Sequence, residues 1–219
     1  MFDDIAQRYD LMNRLISLGR DTHWRRRAID QLHPRSGGRY LDVGSGTGDL
    51  AIDIECRTPG AAVIGLDPSL GMIRVGKGKV GKREKNIRFV GGDAMFLPFS
   101  DAGFDGVILG FCIRNVEDRM AAVTEFYRVL KPEGRLVILE LTVPANPLFS
   151  LGHRLYTSTL IPLTAHLLAQ KGAYDYLVES VRAFPAPDEF LSNMLSIGFT
   201  KGRAIPLMLG SVTVFVCEK

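Results

Sequence analysis

Three acids, Asp42, Asp67 and Asp93, each close an apolar run, and the first opens onto an unusual turn in Tyr40–Ala51, YLDVGSGTGDLA. Glycine-rich turns between a strand and a helix usually cradle phosphate, because backbone N–H groups and the helix dipole attract anions. Here a carboxylate stands on each side, Asp42 before Gly44 and Gly46, and Asp49 after Gly48. A dinucleotide fingerprint needs glycine where this chain has Asp49, and a P-loop needs a Gly-Lys-Ser/Thr ending that is missing. Two carboxylates beside a pyrophosphate would repel it. The turn therefore suits a phosphate-free nucleoside that carries positive charge.

S-adenosyl-L-methionine fits that description, with S-adenosylhomocysteine as the product left behind. Its adenosine, amino-acid tail and sulfonium match the parts on offer: glycines let the backbone approach the tail, and a carboxylate attracts the ammonium or sulfonium. Asp67 ends VIGLD, 23 positions beyond Gly44, where an acid accepts both ribose hydroxyls. Asp93 ends RFVGGD, placed to accept from the adenine amino group while the backbone of Ala94 reads the ring edge. Any one of these acids is as readily a turn former or cap. Their recurrence at three strand ends is what argues for one site.

The elements that would position these residues alternate. RYLDV, AAVIGLD, NIRFVGGD, FDGVILGF and GRLVILEL read as strands, with helices from about Gly48, Ser69 and Asp118 between them. Such alternation predicts a parallel sheet covered by helices, with ligands at the carboxyl ends of the strands. Residues 4–32 have helical periodicity, and 1–35 are expected to form an N-terminal helical segment. Residues 144–187 form an apolar, mostly helical insertion, too long for an ordinary connection and a candidate substrate cap. Two further runs, FTKGRAIPL and SVTVFVCEK, are expected to close the sheet as an antiparallel hairpin.

At 219 residues and 46% hydrophobic, the chain predicts a single domain, 1–219. A net charge of +3 is too small to demand nucleic acid as a partner. Cys56, Cys112 and Cys217 lack metal spacing, as do the four histidines, so no metal is expected. No signal peptide and no uninterrupted apolar span of membrane length is visible, which predicts a cytoplasmic protein. The basic clusters Arg25–Arg27 and Lys77–Lys85, with the apolar insertion, are candidates for peripheral contact with the inner face of a membrane. A homodimer is left open.

Nearly the whole chain resembles the ubiquinone/menaquinone-biosynthesis C-methyltransferase family. The resemblance runs through FDDIAQRYDLMNRLISLGRDTHWRR, LDVGSGTGDLA, GDAMFLPF, FCIRNVEDR, YRVLKPEGRLVILEL and YDYLVESVRAFP. It implies an α/β, Rossmann-like seven-stranded methyltransferase sheet, mostly parallel with an antiparallel C-terminal strand, and helices on both faces. It also implies S-adenosylmethionine as cofactor, a prenylated quinol as small-molecule substrate, and Thr47, Asp67, Asp93 and Ala94 as cofactor contacts. In two places the chain departs from the family pattern. The serine usual before the phenylalanine of the Phe-Gly-(Leu/Ile)-Arg-Asn segment is Gly110, which loses a hydroxyl contact to the cofactor. The glycine after that phenylalanine is Cys112.

Methylating a quinol carbon requires an electron-rich ring, hence loss of a phenolic proton whose pKa is about 10. The resemblance gives that task to Arg114, as a fixed cation stabilising the phenolate, and to Asn115, which would orient the oxygen or a water. Read without it, Arg114 is a surface partner for Glu117 or Asp118. Tyr9, Asn13, Tyr174, Tyr176 and Ser180 are candidate pocket residues from the first helix and the insertion. The general base is open, with His153 and His166 as candidates. Other readings remain: methylation of another small molecule, a lipid or an RNA base, a non-catalytic adenosyl-binding domain, or a nicotinamide-dependent oxidoreductase.

Overall fold

A computed structural model describes residues 14, 17, 19–80, 86–144 and 171–219, with 171–175 described as helix backbone only. Its strands are β1 (Arg39–Val43), β2 (Ala62–Asp67), β3 (Ile87–Gly91), β4 (Phe104–Gly110), β5 (Leu130–Leu141), β6 (Lys201–Leu207) and β7 (Val212–Glu218). They form one seven-stranded sheet in the order β3-β2-β1-β4-β5-β7-β6. β1 to β5 pair in parallel, whereas β7 lies between β5 and β6 and runs antiparallel to both. The expected C-terminal hairpin is present, and its second strand is the one placed inside the sheet.

Strands of this kind are apolar throughout because helices cover both faces. Alternation then decides which face each residue serves. Leu41, Val43, Val107, Leu109, Ile138 and Phe215 join one core, and Tyr40, Ile108, Val137, Leu139, Val214 and Val216 join the other. The helices are α1 (Asp21–Leu32), α2 (Asp49–Arg57), α3 (Leu70–Lys79), α4 (Arg119–Val129), α5 (Lys171–Arg182) and α6 (Pro187–Ser196). Their starts are written locally. Ser69 accepts from the Met72 amide at α3, Asp118 accepts from the Met120 and Ala121 amides at α4, and proline opens α6. Phe126 of α4 and Phe190 and Met194 of α6 fill the first core, and Trp24, Ala28, Ile29 and Leu32 of α1 fill the second with Leu50 and Ile54 of α2.

Two features position the site. Register aligns the carboxyl ends of the strands, with Val43 opposite both Leu66 and Leu109, and Asp67 opposite Gly91. The strand order also reverses beside β1, which has β2 on one side and β4 on the other, and such a reversal leaves a crevice between the two outgoing loops. α1 closes the same region from one face, packing on β5, β4, β7 and α2.

Within the expected N-terminal segment only α1 and a few preceding residues are described, and within the expected insertion only its end, through α5. The basic cluster Arg25–Arg27 does not form one solvated face. Arg26 and Arg27 are exposed, but Arg25 is buried between Asp21 and Asp49, because its position on α1 points inward.

Candidate functional site

The turn after β1 is held to the sheet by its own backbone, with the amides of Gly44 and Ser45 donating to the Leu66 carbonyl at 2.7 and 3.0 Å. Gly44 has φ +65°, and a Cβ there would come within 2.1 Å of the Cys112 sulfur. Gly48 has φ +83° and would drive a Cβ to 2.6 Å from the Phe89 ring. Neither position accepts a side chain, and of the two Gly44, with Gly46, presents bare backbone to the crevice.

A cavity of about 350 Å³ opens there, bordered by the Gly44–Thr47 turn, Asp42, Asp67, the Asp93–Met95 segment, Gly110–Cys112 and Asn115–Glu117. That volume is in the range of small-molecule sites. Asp42 is fully buried at its inner end. One carboxylate oxygen accepts from the Ala51 amide at 3.2 Å, and Oδ1 has no partner. Burial pushes its pKa up to about 8, and the nearby Asp67 and Asp49 carboxylates add to the rise against the Ala51 hydrogen bond and the Arg25 charge. Ser45 Oγ, also in the cavity wall, is buried without a partner. A buried acceptor of this kind is matched by a ligand that brings a cationic donor.

Asp49 also lines the cavity, but it does not stand there as an uncompensated acid. Arg25 lies 3.2 Å from one of its oxygens and Lys79 2.8 Å from the other, so its charge is compensated by protein. Lys79 also donates to Thr47 Oγ1 at 2.7 Å. Asp67 lines the cavity and accepts from the amides of Gly46 and Ser69, each at 2.8 Å, which fixes the carboxylate plane. Asp93 is exposed at the mouth and accepts from the Met95 amide at 2.9 Å, while Ala94 is buried beside it. The cavity thus gathers every cofactor-binding residue anticipated from sequence: Asp42, Gly44, Gly46, Thr47, Asp67, Asp93, Ala94 and Gly110. At Gly110 a Cβ would fall 2.7 Å from the Leu50 side chain, so leucine fills the space that a larger residue would take.

On the β4 side, Phe111 holds φ +59°, an uncommon conformation for a bulky residue, with its ring edge-on to Trp24 at 6.2 Å. A short 3₁₀ turn, Ile113–Asn115, follows. Asn115 lines the cavity with a buried, unpartnered Oδ1. Arg114 lies behind it and does not border the cavity. Its Nη1 donates to Glu140 Oε1 at 2.7 Å and to the Phe111 carbonyl at 2.5 Å, and its amide donates to Glu140 Oε2 at 3.2 Å. The partner is thus neither Glu117 nor Asp118 but a fully buried acid on β5. Glu140 is the residue that sequence reasoning missed, and its signal was a charge inside the apolar run LVILEL. Cys112 is a neutral packing residue, since burial, reinforced by Glu140, pushes its thiol up to about 12.

Among the substrate candidates, Ser180 is buried and donates to the Leu177 carbonyl at 3.0 Å, and Tyr176 is exposed; neither borders the cavity. Their helix, α5, packs on the Ile113–Asn115 turn. Tyr9, Asn13 and the Tyr174 side chain lie outside the described residues, as do His153 and His166. Among the described residues no acid, histidine or cysteine cluster could hold a metal, and no helix is long and apolar enough to cross a membrane.

A seven-stranded sheet with one reversed strand and a glycine turn at the β1/β4 switch defines a Rossmann-like methyltransferase. Solved structures share it: an Aquifex aeolicus SAM-dependent methyltransferase (TM-score 0.64, 16% identity, 89% of this chain and 88% of that one). A Haemonchus contortus phosphoethanolamine N-methyltransferase, solved with S-adenosylhomocysteine, gives 0.67 at 17% identity over 89% of this chain and 52% of its own. The chain belongs to the ubiE/COQ5 methyltransferase family, whose sequence model matches residues 1–219. Curated relatives include the demethylmenaquinone methyltransferase of Thermus thermophilus, 45% identical over 91% of both chains. The ubiquinone/menaquinone biosynthesis C-methyltransferase UbiE of Geotalea uraniireducens is 41% identical over 100% of this chain and 94% of its own.

Proposed function

We propose that this protein transfers a methyl group from S-adenosyl-L-methionine to a ring carbon of a prenylated quinol, demethylmenaquinol or a related quinone precursor. The observation that carries the acceptor class is the 45% identity, over 91% of both chains, to a demethylmenaquinone methyltransferase. The cavity supports the donor: its unpartnered, buried Asp42 oxygen suits an ammonium, and its bare glycine turn suits a close-lying tail.

When bound, the donor supplies a methyl group on a positively charged sulfur. Asp42 would hold the amino group, the Gly44–Gly46 backbone and Thr47 would receive the tail, and Asp67 would accept from the ribose. Asp93 and Ala94 would address the adenine, and Gly110 lies at the strand end with the Leu50 side chain in the space beside it. Asn115 offers its free Oδ1 to the acceptor hydroxyl and so orients the ring. Arg114 takes a different task from the one expected, because it does not border the cavity and its guanidinium is turned to Glu140 at 2.7 Å. It acts by position, tying Phe111 and the turn that presents Asn115. Alignment of donor and acceptor supplies several kcal/mol of such a barrier. Any contact with lipid is peripheral, through exposed Arg26 and Arg27 and not Arg25.

The test is methyl transfer by the purified protein to demethylmenaquinol, a soluble phenol and tRNA in parallel, read by product mass. Methylated quinol alone is expected. Binding of S-adenosylhomocysteine with no turnover on any quinol would overturn the proposal in favour of a non-catalytic binding domain.

A further inference from the structure

We propose that Arg25 is the cofactor's carboxylate-binding residue, so that Arg25 and Asp42 together form a zwitterion site reading the amino-acid tail. Arg25 reaches the cavity from α1, ahead of the first strand, and is nine-tenths buried. Two of its nitrogens are braced, Nη2 by Asp21 and Nη1 by Asp49 at 3.2 Å. Its Nε is buried with no partner. Asp49 is itself held by Lys79 at 2.8 Å, so the brace is shared and the guanidinium cannot swing away without breaking two ion pairs.

A buried guanidinium N–H without an acceptor is costly, and so is a buried carboxylate oxygen without a donor. Here Arg25, Asp42 and Ser45, the residues that carry such unpartnered atoms, all line one cavity. An α-amino acid group carries an ammonium and a carboxylate a few ångströms apart and answers both at once. Adenosine alone answers neither. Arginine suits the role because its planar fork keeps donors for a carboxylate after two are engaged. The inference rests on the reading that the ligand is an adenosyl amino acid, and adds which residue recognises its acid end.

Calorimetry on the full chain tests it with three probes: S-adenosylhomocysteine, its primary amide, which keeps the ammonium but loses the carboxylate charge, and 5′-methylthioadenosine. Wild type should bind S-adenosylhomocysteine about 10- to 100-fold more tightly than the amide. Arg25→Met should remove that difference, bringing S-adenosylhomocysteine down to the amide while changing the amide and methylthioadenosine less than about threefold; Arg25→Lys should fall between. Equal wild-type affinity for acid and amide would overturn the inference, and this comparison needs no variant to fold. So would an equal loss of all three probes in Arg25→Met. Failure of wild type to bind S-adenosylhomocysteine at all would remove the adenosyl reading and this inference with it.

Discussion

Asp42 couples ligand binding to pH. Its folded-state pKa, about 8, lies above the ordinary carboxylate value because burial penalises the charge. The unliganded protein therefore keeps a proton that the unfolded chain releases near pH 4, and the stability this provides is present below that pH and lost as pH rises to about 8. Asp42→Asn should melt a few degrees above wild type at pH 8.5 and level with it at pH 4, by calorimetric scanning. A cationic ligand favours the ionised form, so wild-type affinity for S-adenosylhomocysteine should rise with pH up to about 8, with proton release detected as buffer-dependent binding heat. Asp42→Asn should lose that dependence along with most of the affinity. Asp67→Ala should weaken binding by about 1–3 kcal/mol, the scale of hydrogen bonds to a charged group. Unchanged affinity in that variant would withdraw the ribose assignment.

The 3₁₀ turn after β4 is the element on which catalysis and stability separate. Removing one partner of a buried ion pair leaves an uncompensated charge, so Glu140→Ala should cost about 3–5 kcal/mol in denaturant unfolding. Replacing Arg114 and Glu140 together with methionine and leucine should recover most of that loss while methyl transfer stays slow, because the Phe111 carbonyl and Asn115 are no longer held. Recovery of both would make the pair dispensable for positioning. The glycine turn and the strand-end acids could be read from sequence because their geometry is local: strand, turn and helix start fall within a dozen residues. The Arg114 partner could not, since Glu140 stands 26 residues away on the neighbouring strand. Arg25 shows the same limit. Its Asp21 pair has helical spacing, but its Asp49 pair joins α1 to α2, and nothing in a basic triplet says which member turns inward.

The whole molecule ties distant parts of the chain together. α1 packs on β4, β5 and β7, and it carries Arg25 into the cavity and Trp24 against Phe111. A parallel sheet covered by helices was predictable from the alternating pattern of strands and helices, but the covering of its switch point by a helix that precedes the first strand was not, because no periodicity encodes which face a helix docks on. A chain cut before Val212 lacks the strand between β5 and β6, and α1 loses one of its three supports in the sheet. Limited proteolysis should then cleave after Arg26 or Arg27 at least tenfold faster than in the full chain, roughly the scale of 1.4 kcal/mol in local opening.

During synthesis this docking has a cost in time. The helix bearing Trp24, Ile29 and Leu32 is made about 180 residues ahead of β7, and at 5–20 residues per second the interval is roughly ten to forty seconds. For that period the apolar helical face has an incomplete seat, although Asp49, the second partner of Arg25, follows within about five seconds. The nascent protein is thus open to chaperone capture or aggregation at α1 until β7 arrives to complete its seat.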